Sequence, residues 1–371
     1  MTATITKKNG RIEFLRFVFA LGILFFHIHK RFIEEGEFLE IGDTGLNFFA
    51  RGYIGVEFFF LVSGYLLAAS AFAKRNDIDL PIGSETALMM KRKFWNIFPY
   101  HLFAIILTII VNAYFLENTF SAKFHYVVDS WASLFFLQVF GFDSTWVNKL
   151  TWYLDVWLMV TFMFYPLLRK YYDVFVKIIC PLLALFILGY MAHEYDGIAG
   201  IDGWTGMFYK CFLRGLSEMA LGCTTFSLTR RISRYEFSKS GKVILGILEV
   251  VCYFIVFRYA CTEMDVKYSF PVIFVLWIAV ILTFSDINPL RKVFDNEVCT
   301  WLGRVSLLIY LNQFYGIRLV QEYLAKECFV VKVIACTAIT FAGAFLCHIV
   351  VSVFKKMHPI RKFIVKYPEE E

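Results

Sequence analysis

Long apolar runs interrupted by short charged segments dominate this 371-residue chain. A helix needs about 20 apolar residues to cross a bilayer, with about 17 tolerated. Runs that reach or approach that length begin near Ile12, Gly52, Phe94, Leu150, Val174, Met207, Val243, Phe270, Thr300 and Phe329. A weaker run from Ser130 (SWASLFFLQVFGF) is shorter than a hydrocarbon core. The pattern predicts an all-α polytopic membrane protein of about ten transmembrane helices.

Loop charge orients those spans. If the Ser130 run does not cross and the amino terminus is cytoplasmic, one face collects Lys74, Arg75, Lys91, Arg92, Lys93, Arg169, Lys170, Lys177, Arg230, Arg231 and Arg234. The opposite loops carry Glu34, Glu35, Glu37, Glu40 and Asp43, then Glu194, Asp196 and Asp202, despite Lys30, Arg31 and Arg51. This satisfies the positive-inside rule with both termini cytoplasmic, whereas an extra crossing would invert every later loop. The Ser130 run is therefore expected as a re-entrant or interfacial helix covered by protein.

Composition agrees. The chain is 59% hydrophobic and only 18% charged, against about a quarter charged in soluble domains, so it has too few charges to coat a globule. The net charge of +6 follows from topology. No basic stripe interleaves with stacking aromatics, so nucleic acid is not an expected partner. The nine cysteines form no C-x-x-C pair and mostly lie in apolar runs, so neither a disulfide scaffold nor a metal site is expected. Basic Lys7, Lys8 and Arg11 precede the first run without a small-residue cleavage site after it, which predicts an uncleaved span. Without repeats or linkers, residues 1–371 read as a single transmembrane domain.

Ionisable groups inside a bilayer are costly and usually face a protein interior or a water-filled path. Arg16 and His27 are eleven residues apart, three turns plus about 20°, so they share one face with a rise of about 16 Å between them. That places Arg16 near the inner boundary and His27 in the outer third. Glu57 and Asp155 fall at a similar outer depth and could orient the imidazole; a Glu capping the end of its span is the plainer alternative. Tyr310, Asn312 and Gln313 also reach the outer half. Arg214 and Glu218 are four apart and could simply neutralise each other. Arg16, Lys93, Asn96, His101, Arg304 and His348 gather at the inner boundary, a cationic set suited to phosphates. A ligand phosphorylated at its inner end and reactive near His27 fits both clusters, and an acyl-coenzyme A has that form.

These residues resemble acyltransferase family 3, the integral-membrane O-acyltransferases of bacterial surface and secreted carbohydrates. The matching pieces are RIEFLRFVFALGILFFH (11–27), GVEFFFLVSGYLL (55–67), KRKFWNIFPYH (91–101), TWYLDVWLMVTFMFYPLL (151–168), FLRGLSEMALG (212–222) and LGRVSLLIYLNQF (302–314). The resemblance implies transfer of an acyl group, commonly acetyl, from cytoplasmic acyl-CoA to a carbohydrate hydroxyl at the outer side of a bacterial inner membrane. It implies His27 as catalytic base or acyl relay and Arg16 as its span-one partner, with Ser63 and Gly64 matching the family's S-G signature. Two positions depart from the family pattern. Lys93 and Asn96 stand where an Arg-x-x-Arg pair is usual, with Arg92 as a substitute charge, and Gln313 stands where a second His is usual.

The expected site therefore has His27, Glu57 and Asp155 at the chemistry, with Arg16, Lys93, Arg92, Asn96 and Arg304 on the coenzyme. Tyr310, Asn312, Gln313 and Ser63 are expected near the substrate or oxyanion. The competing class is an exporter or flippase of a glycan or lipid-linked sugar, against which the absence of an inverted repeat weighs. A homo-oligomer is left open. Acceptor specificity is expected in the outer loops, including residues 30–51, 117–149 and 192–206.

Overall fold

The computed structural model describes residues 9–33, 47, 49–76, 80–116, 119–142, 144–201, 203–262 and 264–357. Glu34, Glu35, Glu37, Glu40, Asp43 and Asp202, used in the charge argument, lie outside the described residues, as do Lys7 and Lys8. The helices are α1 (Gly10–Ile33), α2 (Ile54–Ala73), α3 (Ile82–Phe115), α4 (Phe120–Asp129), α5 (Trp152–Lys170) and α6 (Tyr172–Glu194). They continue with α7 (Lys210–Ile232), α8 (Lys239–Ala260), α9 (Ser269–Ser285), α10 (Glu297–Leu311), α11 (Phe314–Tyr323) and α12 (Phe329–Met357). Sequence fixes several starts. Ser238 and Asn296 each accept a backbone N–H from the first turn of α8 and α10, at 3.1 and 2.9 Å, satisfying a donor that helix geometry leaves free.

Among the described residues, eight helices are long and apolar enough to cross a membrane. The runs from Met207 and Thr300, the other two of the ten expected, form helices that do not meet that measure. The first is α7, which carries Lys210, Arg214 and Glu218 yet buries every residue from Lys210 to Thr225. The second is α10, which stops after 15 residues. The Ser130 run makes no continuous helix. It breaks into a turn at Trp131–Leu134 and a tight turn at Gln138–Phe140, too short to cross, with Ser133 and Gln138 fully buried and hydrogen-bonded to each other at 3.1 Å.

Two buried apolar sets flank α1. The larger joins α2, α5, α6, α7, α8 and α9; the smaller packs Leu24, Ile28 and Phe32 against α10, α11 and α12. Small residues allow the close contacts, as in other membrane bundles where backbones approach without intervening side chains. A Cβ on Gly64 of α2 would stand 2.1 Å from the Met219 carbonyl oxygen of α7, and one on Gly222 would stand 2.2 Å from the Leu61 oxygen. On the other side, Gly303 of α10 makes room for the Glu13 side chain, which a Cβ there would strike at 1.9 Å.

Buried polar networks anchor the ends. Arg11 is 3% exposed and donates to Glu249 at 3.0 Å, Asn288 at 2.8 Å and the Thr283 carbonyl at 2.7 Å, tying α1 to α8 and α9. Glu85 accepts from Tyr165 and Arg169 at 2.7 Å each and from Lys74 at 3.1 Å, joining α2, α3 and α5. Lys74 and Arg169 thus have a structural partner beyond the topological role that loop charge assigned them. At the opposite end, Gly141 closes the turn after Phe140 with φ +81°, and the Trp204 ring lies where its Cβ would be. Trp204 opens a small antiparallel hairpin, β1 (Trp204–Thr205) with β2 (Phe208–Tyr209), so the segments before α5 and before α7 meet over the same end of the bundle.

Candidate active site

A cavity of about 800 Å³ opens at the end of the bundle that the loop charges place outside. His27 lines it from the last turns of α1, with Tyr310, Trp152 and Arg214 contributed by α10, α5 and α7. His27 Nδ1 lies 2.8 Å from the Ile23 carbonyl oxygen, one turn back. A carbonyl only accepts, so Nδ1 carries the proton and Nε2 keeps its lone pair. That is the tautomer a general base needs, and the helix's own backbone sets it.

Neither expected carboxylate touches the imidazole. Glu57 Oε1 accepts from Arg214 Nη2 at 2.6 Å, and Asp155 Oδ2 accepts from the Gln138 backbone at 2.9 Å. Both acids are fully buried and structural in their contacts. The i,i+4 pairing of Arg214 with Glu218 is likewise replaced. Helical side chains lean toward the amino terminus, and a base placed before an acid is the weaker order. Arg214 accordingly reaches back to the Gly200 carbonyl at 3.1 Å and across to Glu57. Glu218 is left fully buried with no hydrogen-bond partner on either carboxylate oxygen.

Residues 9–349 match the family model described as an acyltransferase domain. The chain belongs to acyltransferase family 3. It is also similar to the peptidoglycan O-acetyltransferase OatA of Listeria monocytogenes serovar 1/2a, 24% identical over 289 residues, which are 70% of this chain and 44% of the relative. The chain thus spans less than half the length of that curated relative. No solved structure matches it. A multi-pass membrane protein built on an acyltransferase domain is what the helices and the family together establish.

The remaining family positions divide by location. Arg16 is half-exposed and bonded to Glu13 at 3.3 Å, and it is absent from the cavity that His27 lines. The two therefore do not share one cavity. Tyr310 from the cavity wall meets Tyr153 edge-on, with ring centres 6.0 Å apart. The Tyr153 hydroxyl is 3.1 Å from Ser63 Oγ and within electrostatic range of Arg16. Packed tyrosines thus lie between Arg16 and the cavity of His27. Of the coenzyme set, Lys93 turns inward with its ammonium 4.5 Å from the centre of the Trp157 ring, while Arg92, Asn96 and Arg304 are exposed. His101 is buried, with Nε2 2.8 Å from the Ser133 carbonyl.

The expected oxyanion donors are already engaged. Tyr310 donates its hydroxyl to the Leu150 carbonyl, Asn312 Nδ2 to the Leu308 carbonyl at 2.9 Å, and Gln313 Nε2 to the Tyr310 carbonyl at 2.9 Å. The Gln313 side chain nonetheless meets the His27 ring. Sequence reasoning missed the cavity's charge. Its described lining holds Lys30, Arg31, Arg51, Lys149, Arg214 and Arg318 and no carboxylate. The cations at 30, 31 and 51, exceptions in the loop-charge pattern, were the available signal.

Proposed function

We propose that this chain is an O-acetyltransferase that moves an acetyl group from cytoplasmic acyl-CoA to a carbohydrate hydroxyl at the outer side of a bacterial inner membrane. The observation that carries this reading is His27, with Nδ1 committed to the Ile23 carbonyl and its ring beside Gln313 at the wall of an 800 Å³ cavity. Nε2 takes the proton of the acceptor hydroxyl as that oxygen attacks the thioester carbonyl. The C–O bond forms, the C–S bond breaks, and the departing thiolate takes the proton back from the imidazolium. A positioned base of this kind contributes roughly 10²- to 10⁴-fold.

The aromatic rings of Phe26, Tyr53, Trp146 and Trp152 in the lining offer flat apolar faces for sugar rings, and the cations beside them offer donors to hydroxyl oxygens. The inward-facing Lys93 and the half-exposed Arg16 are the groups best placed to meet the coenzyme's phosphates from the other end. Peptidoglycan, the substrate named for the Listeria relative, is the first acceptor to try.

The deciding experiment measures coenzyme A release from acetyl-CoA by the purified protein with muropeptide or glycan-strand acceptors. The unsubstituted protein is expected to turn over and His27→Ala to lose about 10²- to 10⁴-fold. Undiminished turnover in the variant removes the mechanism. Movement of glycan without coenzyme A release favours an exporter instead.

A further inference from the structure

We propose that a second cavity, between the ends of α2, α6 and α7 that the loop charges place inside, binds a phosphate group carried by an acidic phospholipid or by a soluble phosphate ester. This cavity measures about 600 Å³ and shares no lining residue with the cavity of His27. Lys177, Arg230, Arg231 and Arg234 line it beside the Phe72 and Tyr172 rings. Asp173 is the single acid in that lining, and it pairs with Lys177 at 2.5 Å. Among the described residues, Arg230, Arg231 and Arg234 have no carboxylate partner.

Cations near a helix carboxyl terminus complement its partial negative charge, which accounts for Arg230 and Arg231 at the end of α7. It does not account for Lys177, which comes from a different helix, or for the space between them. Lys177 lies in the wide turn Phe175–Ile179, a departure from α-geometry that is frequent at functional sites. The Arg230 guanidinium lies 3.8 Å from the centre of the Phe72 ring, a contact that leaves its charge free for a ligand. Guanidinium forks suit phosphate oxygens, and basic pockets between helices at the cytoplasmic side suit acidic headgroups. Beside the cavity, α6 exposes Ile178, Ile179, Leu182, Leu185 and Phe186, an apolar strip along which acyl chains can lie.

The test follows the thermal unfolding midpoint of the full chain in neutral detergent during titration with phosphatidylglycerol, phosphatidylcholine, inorganic phosphate and coenzyme A. Arg231→Gln/Arg234→Gln is compared with Lys239→Gln/Lys242→Gln, which removes two cations outside the cavity lining. Phosphatidylglycerol is expected to raise the midpoint, with binding roughly 10- to 30-fold weaker in the cavity variant and unchanged in the control. Phosphatidylcholine is expected to do nothing. A cavity-dependent shift with phosphate or coenzyme A alone keeps the site and identifies its ligand as soluble. If the double cavity variant does not fold, Lys177→Gln takes its place. The proposal is overturned if no phosphate compound shifts the unsubstituted protein, or if the control variant loses binding equally.

Discussion

Glu57 and Arg214 form a 2.6 Å ion pair with the two side chains 0% and 2% exposed. The pair joins α2 to α7 at the wall of the His27 cavity, since Arg214 itself lines that space. Removing one partner leaves a buried charge uncompensated, a loss of about 3–5 kcal/mol, whereas exchanging both for apolar residues of similar volume is often neutral. Arg214→Met is therefore expected to lower the unfolding midpoint sharply, and Glu57→Leu/Arg214→Met to recover most of it. Equal instability in the single and double variants would show that the pair does not carry this energy.

Ser63 illustrates a motif residue whose contacts are structural. Its hydroxyl is engaged with Tyr153 at 3.1 Å. Ser63→Ala is expected to cost about 1 kcal/mol of stability, the net worth of one hydrogen bond, and to keep acetyl transfer within tenfold of the unsubstituted rate. A loss above a thousandfold in a folded variant would make Ser63 the acyl-carrying nucleophile.

The local parts of this molecule were legible in the sequence and the long-range parts were not. Helical period placed Arg16 and His27 on one face of α1, and apolar length placed the spans. Pairing was misread wherever a side chain found its partner across the bundle. Arg214 bonds to Glu57, 157 residues away, and spacing within α7 gives no hint of it. His27 needs no carboxylate to fix its tautomer, because the Ile23 carbonyl one turn earlier does so. The segment 130–151 was least readable. Its order comes from contacts such as Gln138 to Asp155 and Asn148 Nδ2 to the Leu311 carbonyl at 3.1 Å, between stretches that share no periodicity.

Lys93 and Arg92 are neighbouring cations in different surroundings. Lys93 faces inward over Trp157, while Arg92 is exposed. Hydrogen bonds to charged groups are worth about 1.5–3 kcal/mol, so Lys93→Gln is expected to raise KM for acetyl-CoA roughly tenfold or more with kcat little changed. Arg92→Gln is expected to change KM by less than about threefold, as for an exposed charge. Steady-state kinetics on both variants checks the pair, and equal effects would mean that the coenzyme's phosphates sit outside the bundle.

Gly64 makes a strict packing demand between α2 and α7. The atom its Cβ would strike is the Met219 carbonyl oxygen at 2.1 Å, and a backbone atom cannot rotate out of the way. Gly64→Ala must push α2 from α7, and overpacking of this kind costs about 1–3 kcal/mol. The same two helices carry Glu57 and Arg214, so the displacement also reaches the cavity wall, and kcat is expected to fall along with the unfolding midpoint. Gly83 in α3 supplies the contrast. Nothing lies within 4 Å of its Cβ position, so Gly83→Ala is expected to gain roughly 0.5–1 kcal/mol from helix propensity alone and to leave kcat unchanged. Comparison of midpoint and kcat across the two variants tests whether the glycine of the S-G signature acts by permitting backbone contact. A Gly64→Ala protein as stable and as active as Gly83→Ala would refute that account.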